Sequence, residues 1–299
     1  MKLHPHGDAA IGSALVVMAN KEYVIEKQGN FGNLLTGDPA SASRYIEARL
    51  TSLAKETLFN TELTEYSDSY DGRNKEPVVL PCKLPISLLF GAEGIAVGMS
   101  TRILPHNLNE IIDAQIAFLQ NKSFKLLPDF LSGGMLDASE YEDGNGKVRV
   151  RAKIEITDEK LLTVRELPFG VTTESLIQSI QDAVNKGKLK LSSIDNFTAE
   201  SVEIELKASR GMDAQKLLKL LYAFTQCEVS ISVNMLLIQE NQPVQLNTSE
   251  VLKCNTMRLK DLLKRELMLS LQQTKQKWHQ RRMEMYFIGE KLYKKLETQ

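Results

Sequence analysis

The segment from Thr248 to Gln299 constrains the fold more than any other part of the chain. It contains no proline, and between Val251 and Gln299 twelve Lys and Arg residues stand against five Asp and Glu residues. Large side chains recur at seven-residue spacing, as on the seam of a helix that packs on another helix, at Leu271, Trp278, Met285 and Leu292. The pattern predicts one long basic amphipathic helix over residues 248–299. A calmodulin-type target or a membrane-surface helix is the generic alternative.

The composition is that of a globular protein with room for two or three domains. The chain has 299 residues, of which 42% are hydrophobic and 25% charged. The formal net charge of -1 does not indicate nucleic-acid binding, so any such surface has to arise from local clustering of positive charge. Cys82, Cys227 and Cys254 are odd in number and far apart, which argues against disulfides and a zinc site and fits a reducing cytoplasm. Neither a signal peptide nor a membrane span is expected.

Residues 37–50 carry an arginine and a tyrosine side by side, Arg44 and Tyr45. Asp38 is a good N-cap and Pro39 a good first helical residue, so a helix is predicted from there to about residue 58. A tyrosine phenol is a weak nucleophile at neutral pH because its pKa is about 10. A neighbouring guanidinium favours the phenolate and neutralises charge on a phosphate under attack. Taken alone, the pair is more typical of packing with a surface charge.

The remaining periodicities predict a mixture of helices and strands. Residues 85–101 fit a buried strand with glycine kinks, and residues 146–156 a strand with one positive face. Asn107 is expected to start a helix. The other predicted helices span residues 9–19, 172–186 and 213–225, and the other predicted strands span residues 23–26, 161–167 and 201–206.

Four motifs in fixed order give the Arg-Tyr pair its context. They are His-Pro-His-Gly-Asp at residues 4–8, Gln-Gly-Asn-Phe-Gly at 28–32, Arg-Tyr at 44–45 and Gly-Ile-Ala-Val-Gly-Met at 94–99. Together they resemble the breakage-reunion subunit of bacterial type IIA DNA topoisomerases, which is the A subunit of DNA gyrase or topoisomerase IV.

The resemblance implies an α+β multidomain fold. Residues 1–87 correspond to a winged-helix catalytic domain whose N-terminal part is missing, residues 88–246 to an α/β tower domain, and residues 247–299 to the ascending helix of a coiled-coil arm without its gate. Lys2 stands shortly before the first motif, so the family's N-terminal arm and first helices are expected to lie outside this chain.

The resemblance also assigns roles to individual residues. Tyr45 is implied as the nucleophile that forms a 5′-phosphotyrosyl link, with Arg44 and His6 stabilising the transition state. Lys2 and His4 match positions close to the DNA backbone, where contacts orient the duplex. Ile95 matches the isoleucine that pushes between base pairs and kinks the duplex. Two histidines around a proline are otherwise typical of an exposed loop, and no third ligand near them supports a metal site.

Partners and cofactors follow from the same resemblance. The expected partners are double-stranded DNA, a second A subunit that completes a homodimer, and the ATP-hydrolysing B subunit in an A2B2 heterotetramer, without a membrane. Mg²⁺ and ATP are expected to be bound by the B subunit, and no metal ligands are predicted in this chain. The expected location is the cytoplasm, at the nucleoid.

Within the family, the segment from Tyr222 to Ser232 favours topoisomerase IV, which relaxes or decatenates DNA, over gyrase, which introduces negative supercoils. Glu93 and Arg102 replace residues that are more often uncharged in the family. Ala9 and Ser13 replace the usual serine and acidic drug-binding positions, which implies a weak quinolone response. A DNA-binding paralogue without cleavage and a protein-interaction scaffold built on the basic helix are the alternatives from other classes.

Overall fold

The protein is a mixture of helices and small antiparallel sheets, as the sequence predicted. The structure, a computed structural model, describes residues 7–296. Two single turns of 3-10 helix lie at Ser43–Tyr45 and Glu142–Gly144. The α-helices are α1 Asp8–Asn20, α2 Ser52–Leu58, α3 Ile86–Phe90, α4 Leu108–Leu119, α5 Thr173–Asn185, α6 Ala214–Phe224, α7 Thr248–Gly289 and α8 Tyr293–Leu296.

The strands form two larger sheets and four hairpins. The larger sheets have the strand orders β11-β12-β10-β9 and β13-β8-β7, and the hairpins are β1-β2, β3-β4, β5-β6 and β14-β15. The strands are β1 Ile25–Gln28, β2 Glu47–Leu50, β3 Glu65–Asp68, β4 Lys75–Val79, β5 Ala92–Ala96, β6 Met99–Ile103, β7 Met135–Asp137, β8 Lys147–Arg151, β9 Lys153–Asp158, β10 Leu161–Glu166, β11 Leu191–Asn196, β12 Ile204–Ala208, β13 Glu228–Ser232, β14 Leu236–Gln239 and β15 Gln242–Gln245.

Two hydrophobic cores organise these elements. The second core lies between helices α5 and α6 and the four-stranded sheet, and all of its buried residues fall between Ala152 and Cys227. The first core joins α3, α4, the three-stranded sheet and the start of α7, with buried residues from Val24 to Val150 and from Ile231 to Leu252. The first core therefore crosses both boundaries predicted at residues 87 and 246, because Val24 and Ala54 before residue 87 and Val251 and Leu252 after residue 246 pack in the same cluster. The domain names and boundaries stay a prediction.

Three helix starts that a polar side chain caps were predicted well. The Asn107 side chain accepts hydrogen bonds from the first turn of α4. Thr172 and Ser175 form a reciprocal capping box at α5, and Asn247 and Glu250 form another at α7. Each satisfies backbone N–H groups that have no partner inside the helix. The predicted helices at residues 9–19, 172–186 and 213–225 are confirmed as α1, α5 and α6.

The helix predicted from Asp38 to residue 58 is wrong. Residues after Asp38 are extended until the 3-10 turn, and β2 follows at once, paired with β1 from Ile25↔Leu50 to Gln28↔Glu47. Pairing with β1 overrides the local helix signal. The helix α2 starts only after Thr51, whose hydroxyl oxygen accepts a hydrogen bond from the Ala54 N–H at 3.0 Å.

The strand predicted over residues 146–156 is divided between two sheets. It breaks at the buried Ala152, whose N–H donates to the Cys227 carbonyl at 2.8 Å. Its predicted positive face is neutralised by ion pairs, in which Arg149 contacts Asp137, Arg151 contacts Glu228 and Lys153 contacts Glu166. The strands predicted at residues 23–26 and 201–206 begin two and three residues later, as β1 and β12.

The long C-terminal helix is confirmed but shorter than predicted. Helix α7 ends at Gly289, and Lys291 adopts φ 52° before α8 begins. Leu292 therefore follows α7 instead of continuing its seam, and residues 297–299 lie outside the described range. Lys83 attaches α7 to the rest of the protein, since its ammonium contacts Glu266 of α7 at 3.1 Å and Glu56 of α2 at 3.2 Å.

Candidate active site

Tyr45 is presented at the surface by a single helical turn. The turn Ser43–Tyr45 is closed by a hydrogen bond from the Tyr45 N–H to the Ala42 carbonyl at 2.9 Å. The backbone becomes extended again at Ile46, which begins the return to β2. Tyr45 is 66% exposed, so its side chain is open to solvent.

Arg44 lies directly against the tyrosine. Its guanidinium carbon is 4.8 Å from the centroid of the Tyr45 ring, the arrangement of a cation–π contact. None of the ion pairs found within residues 7–296 uses Arg44. The guanidinium donors are thus available to an anion that approaches the phenol, and a planar guanidinium suits a phosphate in particular.

A close approach of two loops holds this turn in place. Gly29 has φ +99°, and a Cβ on it would lie 2.7 Å from the Tyr45 carbonyl oxygen. The Ser41 N–H donates to the Asn30 carbonyl at 3.0 Å. The Gln-Gly-Asn-Phe-Gly motif therefore shapes the site through its backbone, and glycine is required where the two chains meet.

Helix α1 packs on the other side of the turn. A Cβ on Gly12 would lie 3.0 Å from the Ser43 hydroxyl oxygen, so α1 and the turn are nearly in contact. At the end of α1, the Asn20 amide donates to the carbonyl of the buried Phe31 at 2.8 Å. Gly12 was not predicted as part of the site, although a glycine inside a helix is a recognised sign of close packing.

The loop that leads to Tyr45 is also tied to the second core. The Thr173 N–H at the start of α5 donates to the Leu35 carbonyl at 2.8 Å, and Leu35 packs against that core. A Cβ on Gly37 would lie 3.2 Å from the Thr172 side chain. The loop that precedes the Arg44–Tyr45 turn is therefore anchored to the second core.

Ile95 lies on a separate element, the hairpin β5-β6. The structure corrects the buried strand predicted for residues 85–101, since α3 carries the buried part and the hairpin beyond it is exposed. Ile95 is 88% exposed, and the neighbouring Val97 is fully exposed. Gly98 takes φ +76° in the turn, a conformation that favours glycine. An apolar side chain at an exposed hairpin tip is suited to insertion into a partner.

The root of this hairpin is linked to α1. The Lys21 ammonium donates to the Gly91 carbonyl at 3.3 Å, and burial lowers the pKa of Lys21. Glu93 and Arg102 face each other across the two strands, 3.7 Å apart. Glu93 and Arg102, which stand at positions that are more often uncharged in the resembled family, thus form an ion pair with each other.

The predicted site residues are only partly brought together. Arg44 and Tyr45 form one contact, whereas Ile95 lies on its own hairpin. Lys2, His4 and His6 lie outside the described residues, immediately before α1. Within residues 7–296, no group of three or more His, Cys, Asp or Glu side chains could hold a metal ion. None of the helices in that range is both long and apolar enough to cross a membrane.

The chain matches a known family over almost its whole length. The family model for the A subunit of DNA gyrase/topoisomerase IV matches residues 1–298. The chain is 54% identical to the DNA topoisomerase 4 A subunit of Borreliella burgdorferi over 288 residues, which are 96% of this chain and 46% of that protein.

Gyrase subunits are similar at lower identity. The DNA gyrase A subunit of Leptospira biflexa is 36% identical over 275 residues, 84% of this chain and 32% of that protein. That of Dehalogenimonas lykanthroporepellens is 39% identical over 282 residues, 84% of this chain and 34% of that protein. The chain thus spans about a third to a half of the length of these relatives.

Proposed function

The chain belongs to the family of DNA gyrase and topoisomerase IV A subunits, and we propose on that basis that it breaks and rejoins DNA in a type II topoisomerase. The observation that supports this most directly is the exposed Tyr45 with the Arg44 guanidinium 4.8 Å from its ring centroid. The higher identity to a topoisomerase 4 protein than to the gyrase proteins favours relaxation or decatenation over negative supercoiling.

In the proposed reaction, the Tyr45 phenol oxygen attacks a backbone phosphorus. The phenol loses its proton, the bond from phosphorus to the 3′ oxygen breaks, and the strand leaves with a 3′ hydroxyl. The 5′ phosphate stays on Tyr45 as a phosphodiester. Because one phosphodiester replaces another, the reverse attack by the 3′ hydroxyl rejoins the strand after a second duplex has passed.

Arg44 and His6 are proposed to stabilise the charge that builds on the phosphate. The Arg44 donors face solvent beside the nucleophile, where a phosphate oxygen would be bound as the phenol approaches. A preorganised cation at that position acts on the transition state more than on the free DNA. The role proposed for His6 is supported by its place in the His-Pro-His-Gly-Asp motif. Lys2 and His4 are proposed to contact the neighbouring DNA backbone.

Ile95 is proposed to bend the duplex. Its exposed side chain at the end of a hairpin has the form of a wedge that enters between base pairs, and the neighbouring glycines let the backbone approach the groove. Bending brings the phosphates of both strands towards the tyrosines of a dimer.

The active assembly is proposed to contain two A subunits that carry this sequence and two B subunits. Each A subunit supplies one Tyr45, so that each DNA strand is cut by one tyrosine. Mg²⁺ and ATP are proposed to be bound by the B subunits. We place the assembly in the cytoplasm, at the nucleoid. On its own the chain is expected to bind DNA without relaxing it.

The test is a cleavage assay with matched tyrosine variants. The full-length A subunit carrying this sequence is mixed with the B subunit, supercoiled plasmid, Mg²⁺ and ATP, quenched with detergent and run on a gel. Tyr45→Phe removes the proposed nucleophile. Tyr70→Phe is the matched control, because Tyr70 is 62% exposed and so almost as accessible as Tyr45.

Protein-linked linear DNA is expected from wild type and from Tyr70→Phe, and none from Tyr45→Phe. If wild type binds DNA yet leaves no covalent adduct, the protein is a DNA-binding paralogue without cleavage, and the proposed reaction is wrong.

A further inference from the structure

The hairpin that carries Ile95 needs external support to act as a wedge. It has two strands, and a two-stranded hairpin alone is marginally stable in water. Its root is fixed, since Phe90 on one side and Ile103 and Leu104 on the other are buried in the first core. Its outer half, from Gly94 to Thr101, projects beyond that core. A side chain cannot enter between stacked base pairs if the hairpin that carries it moves away when it meets the DNA.

Asn234 binds this outer half from the side. Its backbone pairs with Arg102 in both directions, with N–O distances of 2.8 and 3.1 Å. Its side-chain amide nitrogen donates to the Ser100 carbonyl at 2.8 Å. Ser100 is the residue directly opposite Ile95 in the hairpin. The side chain of Asn234 therefore holds the cross-strand partner of Ile95, two residues beyond the backbone pairing with Arg102.

Asn234 is itself held rigidly. The residues on either side of it, Val233 and Met235, are buried in the first core. The Gln245 amide donates to the Asn234 side-chain oxygen at 3.3 Å and to the Asn145 side-chain oxygen at 3.2 Å. Asn234 is thus held by the first core on both sides and by Gln245 of the hairpin β14-β15.

We propose that Asn234 is a positioning residue that fixes the angle of hairpin β5-β6 and so preorganises Ile95 for insertion into DNA. The proposal rests on the function proposed above, in which Ile95 bends the duplex. Asn234 acts through Ile95 and touches no reacting group. Because the wedge is held in its working position before DNA arrives, less of the binding free energy is lost in ordering it.

The first test examines the free protein. Asn234→Asp keeps the shape of the side chain and the oxygen that accepts from Gln245. It removes the N–H donor to the Ser100 carbonyl and places a carboxylate oxygen against that carbonyl oxygen. Asn196→Asp adds the same charge on β11, where the side-chain oxygen accepts from the Thr198 N–H and can still do so. Amide hydrogen exchange over residues 94–101 is expected to be about tenfold faster in Asn234→Asp than in wild type and unchanged in Asn196→Asp.

The second test is a double-mutant cycle for DNA affinity. A short labelled duplex is titrated with the assembled A2B2 heterotetramer by fluorescence anisotropy. Asn234→Asp is expected to weaken binding about fivefold when Ile95 is present and less than about 1.5-fold in the Ile95→Ala background, because the two residues act as a unit. A carboxylate that merely repels DNA, or a general loss of structure, would weaken binding equally in both backgrounds.

The two tests separate the two proposals. Unchanged exchange in Asn234→Asp, or equal weakening in both backgrounds, overturns the role of Asn234. If exchange rises but Ile95→Ala binds DNA as tightly as wild type, the wedge function of Ile95 is wrong, and the positioning proposal falls with it even though Asn234 supports the hairpin.

Discussion

At the scale of single residues, the contact most important to the proposed chemistry joins the Arg44 guanidinium to the Tyr45 ring. We predict that Arg44→Ala slows single-turnover cleavage by about 10²–10³-fold, because it removes a preorganised cation beside the phosphate. Arg44→Lys keeps the charge but loses the planar fork, and a loss of about tenfold is expected. DNA affinity is expected to change much less than the cleavage rate.

The control for this prediction is Arg49→Lys. Arg49 lies on β2, close in sequence to the site, but its guanidinium forms an ion pair with Glu26. The cleavage rate of Arg49→Lys is expected to stay within about twofold of the wild-type rate, as for most substitutions of exposed residues. A wild-type rate in Arg44→Ala would remove Arg44 from the mechanism.

The identity of the central residues could be predicted from the sequence, but their surroundings could not. Arg44 and Tyr45 are adjacent in the chain, so their contact needs no knowledge of the fold. Gly12, Leu35 and Asn234 act on the site through contacts with residues far away in the sequence. No local pattern encodes such a contact, since it exists only after the cores have formed.

At the scale of elements, the segment before Tyr45 shows why the helix predicted from Asp38 does not form. Asp38 and Pro39 have the right types for a helix start, yet the chain there is used to pack against the Gly29 loop and to form β2. The actual start of α2 is Thr51, whose hydroxyl accepts from Ala54 and donates to the Tyr23 carbonyl at 2.7 Å. The tertiary pairing of β2 with β1 decides against a start at Asp38 and moves the helix start to Thr51.

We predict that Thr51→Ala lowers the free energy of unfolding by about 1–2 kcal/mol, because α2 loses its cap. Thr51→Ser keeps the hydroxyl and both of its hydrogen bonds, so its loss is expected to be a few tenths of a kcal/mol. Urea denaturation followed by circular dichroism measures both. Equal losses in the two variants would show that the hydroxyl does not stabilise the helix start.

At the scale of the whole molecule, a buried polar chain joins elements that are distant in sequence. His106, before α4, lies between the Leu88 carbonyl at 3.0 Å and the Tyr141 hydroxyl at 3.2 Å. Tyr141 in turn contacts the Thr248 hydroxyl at the start of α7, at 2.8 Å. The Leu88 carbonyl can only accept, so Nδ1 of His106 carries the proton and Nε2 accepts from Tyr141. Burial raises the pKa of Tyr141 to about 12, which keeps it a donor.

Burial also lowers the pKa of His106 below its ordinary value of 6.5. The unfolded chain therefore takes up a proton near pH 6.5 that the folded protein still excludes, and the free energy of unfolding is expected to fall as the pH drops below that value. His106→Gln should reduce this dependence, measured by urea denaturation at about pH 7.5 and about pH 5.5. His279→Gln, on the exposed face of α7, is the control. An unchanged dependence in His106→Gln would contradict the assignment.

The arrangement of the two cores is the part of the fold that the sequence did not reveal. The second core is one continuous stretch of chain, whereas the first core is completed by residues that follow it, such as Ile231 and Leu252. Periodicity predicts which side of a helix is buried, but not which distant segment covers it. For this reason helices such as α1, α5 and α6 could be predicted, and the packing across residues 87 and 246 could not.

The central claim is that Tyr45 itself becomes joined to the 5′ end of a broken strand. The most direct test is to trap the cleaved complex with detergent, digest it with nuclease and protease, and locate the nucleotide by mass spectrometry. We predict a 5′-phosphate-linked nucleotide on Tyr45 and a free 3′ hydroxyl on the other fragment. A nucleotide on another exposed tyrosine such as Tyr66 or Tyr70, or a link to a 3′ phosphate, would contradict the account.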